Sequence, residues 1–389
     1  MGTLVGGGTP TADSKNWDGD VPFVTPPDLR PVVGSVVHTT QRTLTAEGAA
    51  AGSSTVPEGS VLLSIRAPIG YVAKTSSAMA FNQGCRAIVP YNGTSARYLT
   101  YALVAAGAEL DSLGRGTTFM ELSAAQMAAL ELPVPPLEEQ RAIADYLDRE
   151  TARIDTLIKE QQRLIEMLRE RRQAVIDDAF STLGEPSVQL RRYIDFLTSG
   201  SRGWGDYYAD QGERFLRIGN LPRANLEIRG EIQFVNLPAD VTEGSRTMLQ
   251  KSDLLFSITA YLGSVAVVEG DWLGAYVSQH VALCRLDCDR VDSRFIGWFM
   301  LSTIGQNQLN EGAAGGTKMQ LALDDIRELR VPTAPVEQQR RIAAHLDRQT
   351  AKIDALVTET ERFIEYAHER RAALITAAVT GQIDVREMV

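Results

Sequence analysis

The feature that most limits the fold of this chain is a long internal repeat. The segment from Leu132 to Ala179 returns without a gap from Val331 to Ala378, so that Gln140 corresponds to Gln339 at an offset of 199 residues. About half of the paired positions are identical, and similarity at this level within one chain indicates a structural unit that occurs twice.

Each copy of the repeat has the pattern of one long helix. Pro133, Pro135 and Pro136 suit a first helical turn, and the first copy then contains neither proline nor glycine until Gly184. The pattern predicts a helix of about 44 residues in each copy, roughly 66 Å long. A compact domain does not need such a length for its own core, so the two helices are expected to act as spacers.

A 4-3 spacing of mainly apolar residues runs along both predicted helices, as in the seam of a coiled coil. The seam positions are Leu147, Thr151, Ile154, Ile158, Gln161, Ile165, Leu168, Arg172, Val175 and Ala179 in the first copy, and Leu346, Thr350, Ile353, Val357, Thr360, Ile364, Ala367, Arg371, Leu374 and Ala378 in the second. Polar seam residues fall at matching places in both copies. This match favours a register-setting role over an ordinary amphipathic helix.

The rest of the chain forms a second, weaker pair of repeats. Residues 1–131 and 187–330 are rich in short apolar and aromatic runs cut by Gly, Pro, Ser and Asn, which predicts mixed α/β domains. Three segments align the copies: 20–29 with 212–221, 61–70 with 254–263, and 82–83 with 278–279. Apolar strands persist between the copies while loop residues change, for example Arg66 to Thr259, Pro68 to Tyr261 and Thr118 to Lys318. One scaffold with two specificities has this pattern.

The predicted fold class is α+β. Two mixed α/β domains, residues 1–131 and 187–330, form a pseudo-two-fold repeat, and the helical segments 132–186 and 331–389 separate them as two long antiparallel coiled-coil helices. An antiparallel pair of helices has an approximate two-fold axis that rotates one repeat unit onto the other. The two domains are therefore expected at opposite ends of the helices.

Composition excludes several classes of protein. The 39 basic and 49 acidic side chains give a net charge of -10, so binding of nucleic acid by bulk charge is excluded and any such binding must use local patches or partners.

No apolar run approaches the roughly 18 residues of a membrane span, and Met1 to Pro10 has no signal-peptide pattern. The chain is therefore expected to be cytoplasmic. Cys85, Cys284 and Cys288 make neither a disulfide framework nor a zinc site and are expected to be small core residues.

Several short motifs can be compared with known families. They are the Pro133 to Arg141 helix start and its repeat, Gly7-Gly8-Thr9-Pro10, Trp17-x-Gly19-Asp20-x-Pro22, Ser64-Ile65-Arg66 with Gly70, Asn82-Gln83-Gly84, and Gly114-x-Gly116-Thr117-Thr118-Phe119. Together, and over essentially the whole chain, they resemble the specificity subunit of type I restriction-modification enzymes. One departure is that the chain opens almost directly at the Gly-Gly-Thr-Pro segment, so an edge strand of the first domain is expected to be absent.

The resemblance implies a subunit that binds double-stranded DNA. Each of its two target-recognition domains would read one half of a bipartite sequence, and the subunit would assemble with two methyltransferase subunits and, for cleavage, two restriction subunits. The repeat geometry leads to the same expectation. Two domains on one side of a duplex would meet major-groove sites about one turn, roughly 34 Å, apart. The helices would set the spacer and offer equivalent faces to two copies of a partner.

No motif predicts catalysis by the chain itself. Gly6-Gly7-Gly8-Thr9 and Gly312-x-x-x-Gly316-Thr317-Lys318 do not have phosphate-loop spacing. Thr25-Pro26-Pro27-Asp28 lacks both required ends of an amino-methyltransferase tetrapeptide. The histidines are His38, His280, His345 and His368, and they form no H-E-x-x-H pair. We therefore expect no catalytic residue, no metal site and no cofactor.

Candidate DNA contacts are polar, aromatic and cationic loop residues that can reach base edges or phosphates. They are Thr9, Thr25, Arg66, Tyr71, Asn82, Gln83, Arg115, Thr117 and Thr118 in the first domain, and Arg202, Trp204, Arg217, Asn220, Thr259, Tyr261, Gln279, His280 and Lys318 in the second. Gln83 and Gln279 are favoured because glutamine, a reader of adenine, stays in both diverged copies. A structural hydrogen bond would explain the same pattern.

Two other functional classes stay open. A regulatory or antirestriction protein would keep the shape of a specificity subunit and bind methyltransferase subunits without a useful DNA target. A coiled-coil adaptor would use its globular domains to bind proteins. Salt-dependent gel shifts with the co-expressed partner would separate these functions from DNA reading.

Overall fold

The computed structural model describes residues 1–114, 121–238, 243–260, 262–313 and 320–385. The chain divides into two compact units, Met1–Gln162 with Arg362–Val389 and Arg163–Glu361. Each unit therefore combines one globular region with a part of each long helix. Within the described residues, no helix is long and apolar enough to cross a membrane.

The globular region of the first unit consists of short strands and helices joined by tight turns. They are β1 (Gly2–Gly6), β2 (Trp17–Val24), α1 (Pro26–Leu29), β3 (Ser35–Val37), β4 (Arg42–Leu44), α2 (Ala46–Gly52), β5 (Ser54–Val56), β6 (Val61–Ser64), β7 (Val72–Thr75), β8 (Met79–Phe81), β9 (Cys85–Pro90), α3 (Ala96–Ala105), α4 (Gly107–Gly114) and α5 (Ala124–Ala128). The strands form two sheets, ordered β1-β9-β6-β7-β3 and β4-β2-β8-β5. The pairs β2/β8 and β3/β7 are parallel.

Strand β6 lies at the centre of the larger sheet and is buried on both faces. Side chains alternate between the faces of a strand: Leu62 joins an apolar cluster that contains Phe81, whereas Val61 and Leu63 join another that contains Leu99 of α3. The continuous Val61-Leu62-Leu63 run in the sequence is explained by this double burial, since a strand with one solvated face would alternate polar and apolar residues.

The first long helix leads into the second globular region. The elements in chain order are α6 (Leu137–Ser181), β10 (Val188–Gln189), β11 (Ile194–Ser199), β12 (Tyr208–Ala209), β13 (Glu213–Leu216), β14 (Gln233–Val235), β15 (Leu254–Ser257), β16 (Val265–Val267), β17 (Tyr276–Val277), β18 (Val281–Leu286), α7 (Ser293–Met300), α8 (Thr303–Ala313), α9 (Leu323–Glu328), β19 (Arg330–Val331) and α10 (Val336–Val379). The sheets are ordered β11-β18-β15-β16, β12-β14-β13-β17 and β10-β19.

The two globular regions share one strand arrangement. The order β11-β18-β15-β16 matches β1-β9-β6-β7, and β13 runs parallel to β17 as β2 does to β8. Strand β1 pairs with β9 from Gly2 to Gly6 and is the counterpart of the edge strand β11. The expectation that an edge strand of the first domain is absent is therefore wrong, because Gly2–Gly6 supplies it just before the Gly-Gly-Thr-Pro segment.

The prediction of two long helices is confirmed: α6 has 45 residues and α10 has 44. The helices run antiparallel within each unit, because the beginning of one packs against the end of the other. In the first unit Ile143 and Leu147 share a cluster with Ile375 and Val379. Every predicted seam position is buried or half-buried. Burial drifts onto neighbouring positions near the helix ends, as at Ile176, because a straight helix repeats every 3.6 residues rather than 3.5.

The two seam arginines each form one ion pair with an aspartate of the other helix, one pair in each unit. Arg172 Nε donates to Asp354 Oδ1 at 2.7 Å in the second unit, and Arg371 Nε donates to Asp155 Oδ1 at 3.0 Å in the first. The two arginines are related by the 199-residue offset, as are the two aspartates. Each helix thus supplies the arginine in one unit and the aspartate in the other. A slip of one helix along its partner would break both pairs, so the pairs fix the register.

Removing one acceptor from these pairs should lower stability. Asp354→Ala leaves the nearly buried Arg172 guanidinium without its carboxylate, and we expect the protein to lose about 1–3 kcal/mol of unfolding free energy. Urea unfolding measures this loss. Glu150→Ala is the matched control, because its ion-pair partner Arg153 is exposed and lies on the same helix. Equal effects of the two substitutions would contradict a register role for the pair.

The cysteines behave differently from one another. Cys85 on β9 and Cys284 on β18 are buried as predicted, and burial raises the pKa of both thiols to about 12, which makes them unreactive. The prediction is wrong for Cys288, which is exposed. It follows the end of β18 in a polar turn between Asp287 and Asp289, where the strand no longer directs side chains into the core.

Candidate nucleic-acid interface

In the first unit, the strand order brings three loops to one edge of the larger sheet. Strands β1 and β6 end at this edge, and β9 begins there. Backbone hydrogen bonds join the loops directly: Gly8 N donates to Phe81 O at 3.0 Å, and Ile65 N donates to Gly84 O at 2.9 Å. Residues 7–10, 65–71 and 82–84 therefore form one surface, which we call the first loop edge.

Three of the predicted contact residues are exposed on the first loop edge. The Thr9 hydroxyl donates to Gln83 Oε1 at 2.5 Å, and Arg66 Nε donates to Glu121 Oε2 at 3.1 Å. Sequence reasoning missed Glu121 because the residue lies 55 positions after Arg66 in the chain. An exposed ion pair of this kind is weak, so the guanidinium can exchange Glu121 for a phosphate or a base.

Three other predicted residues of the first unit have internal roles. The backbone N–H and hydroxyl of Thr25 both donate to Asp28 Oδ2 and cap helix α1. Asn82 Oδ1 accepts from Gly84 N at 3.0 Å and shapes the turn before β9. Tyr71 is half-buried against an apolar cluster. These side chains shape the loops, and the polar groups of Thr25 and Asn82 form hydrogen bonds within the protein.

The second unit has an equivalent second loop edge, formed by residues 200–202, 258–260 and 278–280. Gly200 N donates to Val281 O and Ile258 N to His280 O, both at 3.1 Å. Thr259 Oγ1 lies 3.1 Å from His280 Nδ1, and Gln279 Nε2 lies 3.2 Å from His280 Nε2. The amide nitrogen of Gln279 can only donate, so His280 Nε2 is the acceptor in this contact. Arg202 is exposed on the same edge.

The remaining described candidates of the second unit lie in its scaffold. Trp204 is only 4% exposed and packs against Phe215 and Tyr276, with ring centroids 5.6 and 5.2 Å away. Asn220 is equally buried. Its amide group donates to two backbone carbonyls, and its Oδ1 accepts from the half-buried Arg217 N–H at 2.9 Å. This turn is the counterpart of the Thr25–Asp28 turn.

Five predicted contact residues lie outside the described residues: Arg115, Thr117, Thr118, Tyr261 and Lys318. Within the part of the chain that the structure describes, no group of three His, Cys, Asp or Glu side chains could hold a metal ion.

A second surface of interest lies on the long helices. Large apolar side chains are exposed at Leu157, Leu164 and Met167 on α6 and at Leu356, Phe363 and Tyr366 on α10, with 36% to 66% of each exposed. The two sets are related by the 199-residue offset. Residues at i, i+7 and i+10 share one helix face, so each helix carries one apolar stripe. The signal was present in the sequence, one position before the seam residues Ile158, Ile165 and Leu168.

Comparison with known families covers most of the chain. The family model described as type I restriction modification DNA specificity domain matches residues 1–167 and 229–365. The MjaIX specificity subunit of Methanocaldococcus jannaschii, a type I restriction enzyme subunit, is 34% identical over 172 residues, which are 43% of this chain and 39% of that protein. The EcoBI specificity subunit of Escherichia coli is 20% identical over 77% of this chain and 68% of its own length.

Solved structures support the same fold. A chain from a study of complex assembly and conformational transition in a type I R-M system has a TM-score of 0.73 at 16% identity, covering 97% of this chain and 95% of that chain. The HsdS subunit from Thermoanaerobacter tengcongensis has a TM-score of 0.53 at 17% identity, covering 97% and 94%. These similarities place the two globular regions and the two long helices in a known architecture.

Proposed function

This chain belongs to the family of type I restriction modification DNA specificity domains, and from that premise we propose that it is the non-catalytic, DNA-reading subunit of such a system. Each loop edge would read one half of a bipartite target on double-stranded DNA. The domain limits 1–131, 132–186, 187–330 and 331–389 are part of this proposal. So are a cytoplasmic location and assembly with two methyltransferase and two restriction subunits.

The observation that carries the proposal is that one scaffold presents two different sets of polar side chains. The same strand ends form both loop edges, yet the first presents Arg66 and Gln83 while the second presents Gln279 and His280. Arginine prefers guanine and glutamine prefers adenine in the major groove. A protein with two specificities needs this combination of a fixed frame and different contacts.

The acidic net charge is compatible with this function. At -10 the whole chain cannot attract DNA by its overall field. Arg66 and Arg202 are exposed on the loop edges, so positive charge is available where contact is proposed. The partner subunits would supply the remaining phosphate contacts, and DNA binding by the isolated chain should be weak and salt-dependent.

The two apolar stripes support assembly with two copies of a partner. Exposed apolar residues that repeat on a helix face mark an interaction surface. Because α6 and α10 carry the same stripe, the same partner surface can dock on each helix. We identify that partner as the methyltransferase subunit, which would supply the catalysis for which this sequence has no motif.

Substitutions at the loop edges test DNA reading. Gln83→Ala should relax recognition at one base pair of the half-site read by the first domain, and Gln279→Ala should do the same in the other half-site. Each lost bidentate contact costs about 1–3 kcal/mol of discrimination. Long-read methylation mapping of a host that expresses the chain with its methyltransferase subunit measures both half-sites.

The controls for this experiment separate the candidate functions. Gln162→Ala removes an exposed helix glutamine far along the chain from either loop edge and should leave the methylated motif unchanged. If neither loop variant alters the motif, these glutamines are not base contacts. If the unaltered protein binds methyltransferase subunits but directs no methylation, the regulatory function replaces the proposed one. A chain that binds neither DNA nor these subunits would favour the adaptor function.

A further inference from the structure

In the first unit, a set of polar contacts joins the globular region to α6. Arg97 on α3 bridges two carboxylates of α6, with Nη1 2.6 Å from Asp148 and Nη2 2.7 Å from Asp145. The Tyr101 hydroxyl donates to the other oxygen of Asp148 at 2.8 Å. Burial raises the pKa of Tyr101, so its hydroxyl keeps the proton that it donates. We call these residues the first clamp.

The second unit has a matching second clamp between α7 and α10. Arg294 donates two hydrogen bonds to Asp347, at 3.0 and 2.6 Å, and Trp298 Nε1 donates to the same carboxylate at 2.8 Å. Arg294 also pairs with Glu269 at 3.2 Å, which takes the place that Asp145 has in the first clamp. The indole and the phenol thus have the same role: each adds a hydrogen bond to an aspartate that the arginine already holds, the second on Asp148 and the third on Asp347.

The clamps keep one spacing although the domains around them have diverged. The backbone N–H that precedes each clamp helix donates to a glutamine of the long helix, Ser95 N to Gln140 and Asp292 N to Gln339, at 2.9 and 2.8 Å. The clamp arginine follows two residues later and the aromatic donor six residues later in both units. Three contacts at fixed spacing determine both the position and the rotation of a helix on its neighbour.

Stability alone does not explain the first clamp, whereas Arg294 and Asp347 of the second clamp are less exposed, at 24% and 30%. Arg97 and its two carboxylate partners are about two-fifths to one-half exposed, and ion pairs at this exposure contribute little to folding. A cleft of about 270 Å³ lies beside the first clamp and one of about 280 Å³ beside the second, so packing is incomplete where the clamps act. Burial alone lowers the pKa of Arg97 and Arg294, but hydrogen bonds to the aspartates raise it above the ordinary value. Both arginines therefore stay charged.

We propose that Arg97 with Asp148, and Arg294 with Asp347, are positioning residues that fix the angle between each recognition domain and its helix. That angle determines where each loop edge meets the duplex, and so the clamps define which spacer length between half-sites is accepted. This inference rests on the proposed function, because it assumes that the two loop edges read one DNA molecule.

The test uses the chain co-expressed with its methyltransferase subunit, and its readout is the spacer of the methylated motif. Arg97→Lys and Arg294→Lys keep the positive charge but lose the forked geometry that holds two oxygens at once. For each variant we expect the methylation ratio between the preferred spacer and spacers one base pair longer or shorter to fall roughly tenfold, the change expected when one charged hydrogen bond is lost. The half-site bases should not change.

Arg153→Lys is the matched control, since Arg153 is exposed on α6 and pairs with Glu150 of the same helix. It should keep the original spacer preference. An unchanged spacer with a lowered melting temperature in both clamp variants would reduce the clamps to structural contacts and overturn the proposal. Altered half-site bases would also overturn it. If one variant fails to fold, the equivalent variant of the other unit decides. If the unsubstituted protein directs no methylation at a bipartite DNA motif, the proposed function is overturned, and the clamp proposal with it.

Discussion

Aspartate at Leu164 on α6 or at Phe363 on α10 should remove one methyltransferase subunit from the complex, and aspartate at both positions should remove two. Each residue is the central member of its apolar stripe. A partner that docks there would have to bury an unpaired carboxylate, which costs far more than the lost apolar contact. We expect at least about a hundredfold weaker binding at the substituted stripe, in the range of interface hot spots.

Mass measurement at saturating partner gives the stoichiometry directly. The expected numbers of partner subunits per chain are two for the parent protein, one for either single variant and none for the double variant. Gln162→Asp introduces the same charge at an exposed polar position of α6 and should keep two partners bound. A single variant that loses both partners would show that the two stripes do not act independently, and an unaffected double variant would place docking elsewhere.

The long helices could be predicted from the sequence because their signals are local. Prolines at the start, three in the first copy and two in the second, no later proline or glycine within either helix and an apolar 4-3 spacing leave the chain few alternatives to a long helix. The seam also predicted which face is buried. What the sequence did not show is that Arg172 and Arg371 would find aspartates on the opposite helix, since Asp354 and Asp155 lie outside the seam positions.

The loop edges were predicted only in part, because a polar side chain has two very different uses. The sequence predicts Thr25 and Asn220 as DNA contacts, but both form hydrogen bonds in turns of their own chain. A signal was available: a Thr three residues before an acidic residue, with proline at the first helical position, is typical of a helix cap. The sequence also predicts Trp204 as an aromatic contact. Its burial depends on Phe215 and Tyr276, which come from other strands and are not visible from local pattern.

Lengthening both helices by one heptad should lengthen the DNA spacer and leave both half-sites unchanged. The insertions belong between Ile158 and Ile165 and between Val357 and Ile364, where a heptad preserves the apolar seam. Both stretches contain the boundaries between the two compact units, at Gln162/Arg163 and Glu361/Arg362. The contacts within each unit, including both arginine–aspartate pairs and both clamps, should therefore survive.

A domain exchange is the complementary experiment. Replacing residues 187–330 by the corresponding region of another specificity subunit should change the half-site read by that region alone. The spacer length should stay as it was, because the inserted region carries neither long helix. A chimera whose two half-sites both changed would contradict independent reading by the two loop edges.

The expected size of the spacer change follows from helix and duplex dimensions. Seven residues add about 10.5 Å to each helix, and base pairs stack at about 3.4 Å, so the added length corresponds to roughly three base pairs. Three added base pairs also rotate the DNA groove by roughly 100° about the duplex axis. One added heptad rotates the helix face by only about 20°. Because these rotations differ, the DNA must twist to meet the second loop edge, and binding should weaken. Methylation mapping should show a longer spacer at lower efficiency. An insertion in only one helix should abolish assembly, because its seam would no longer match its partner. If the double insertion left the spacer unchanged, or altered the bases that are read, the helices would not set the distance between the half-sites.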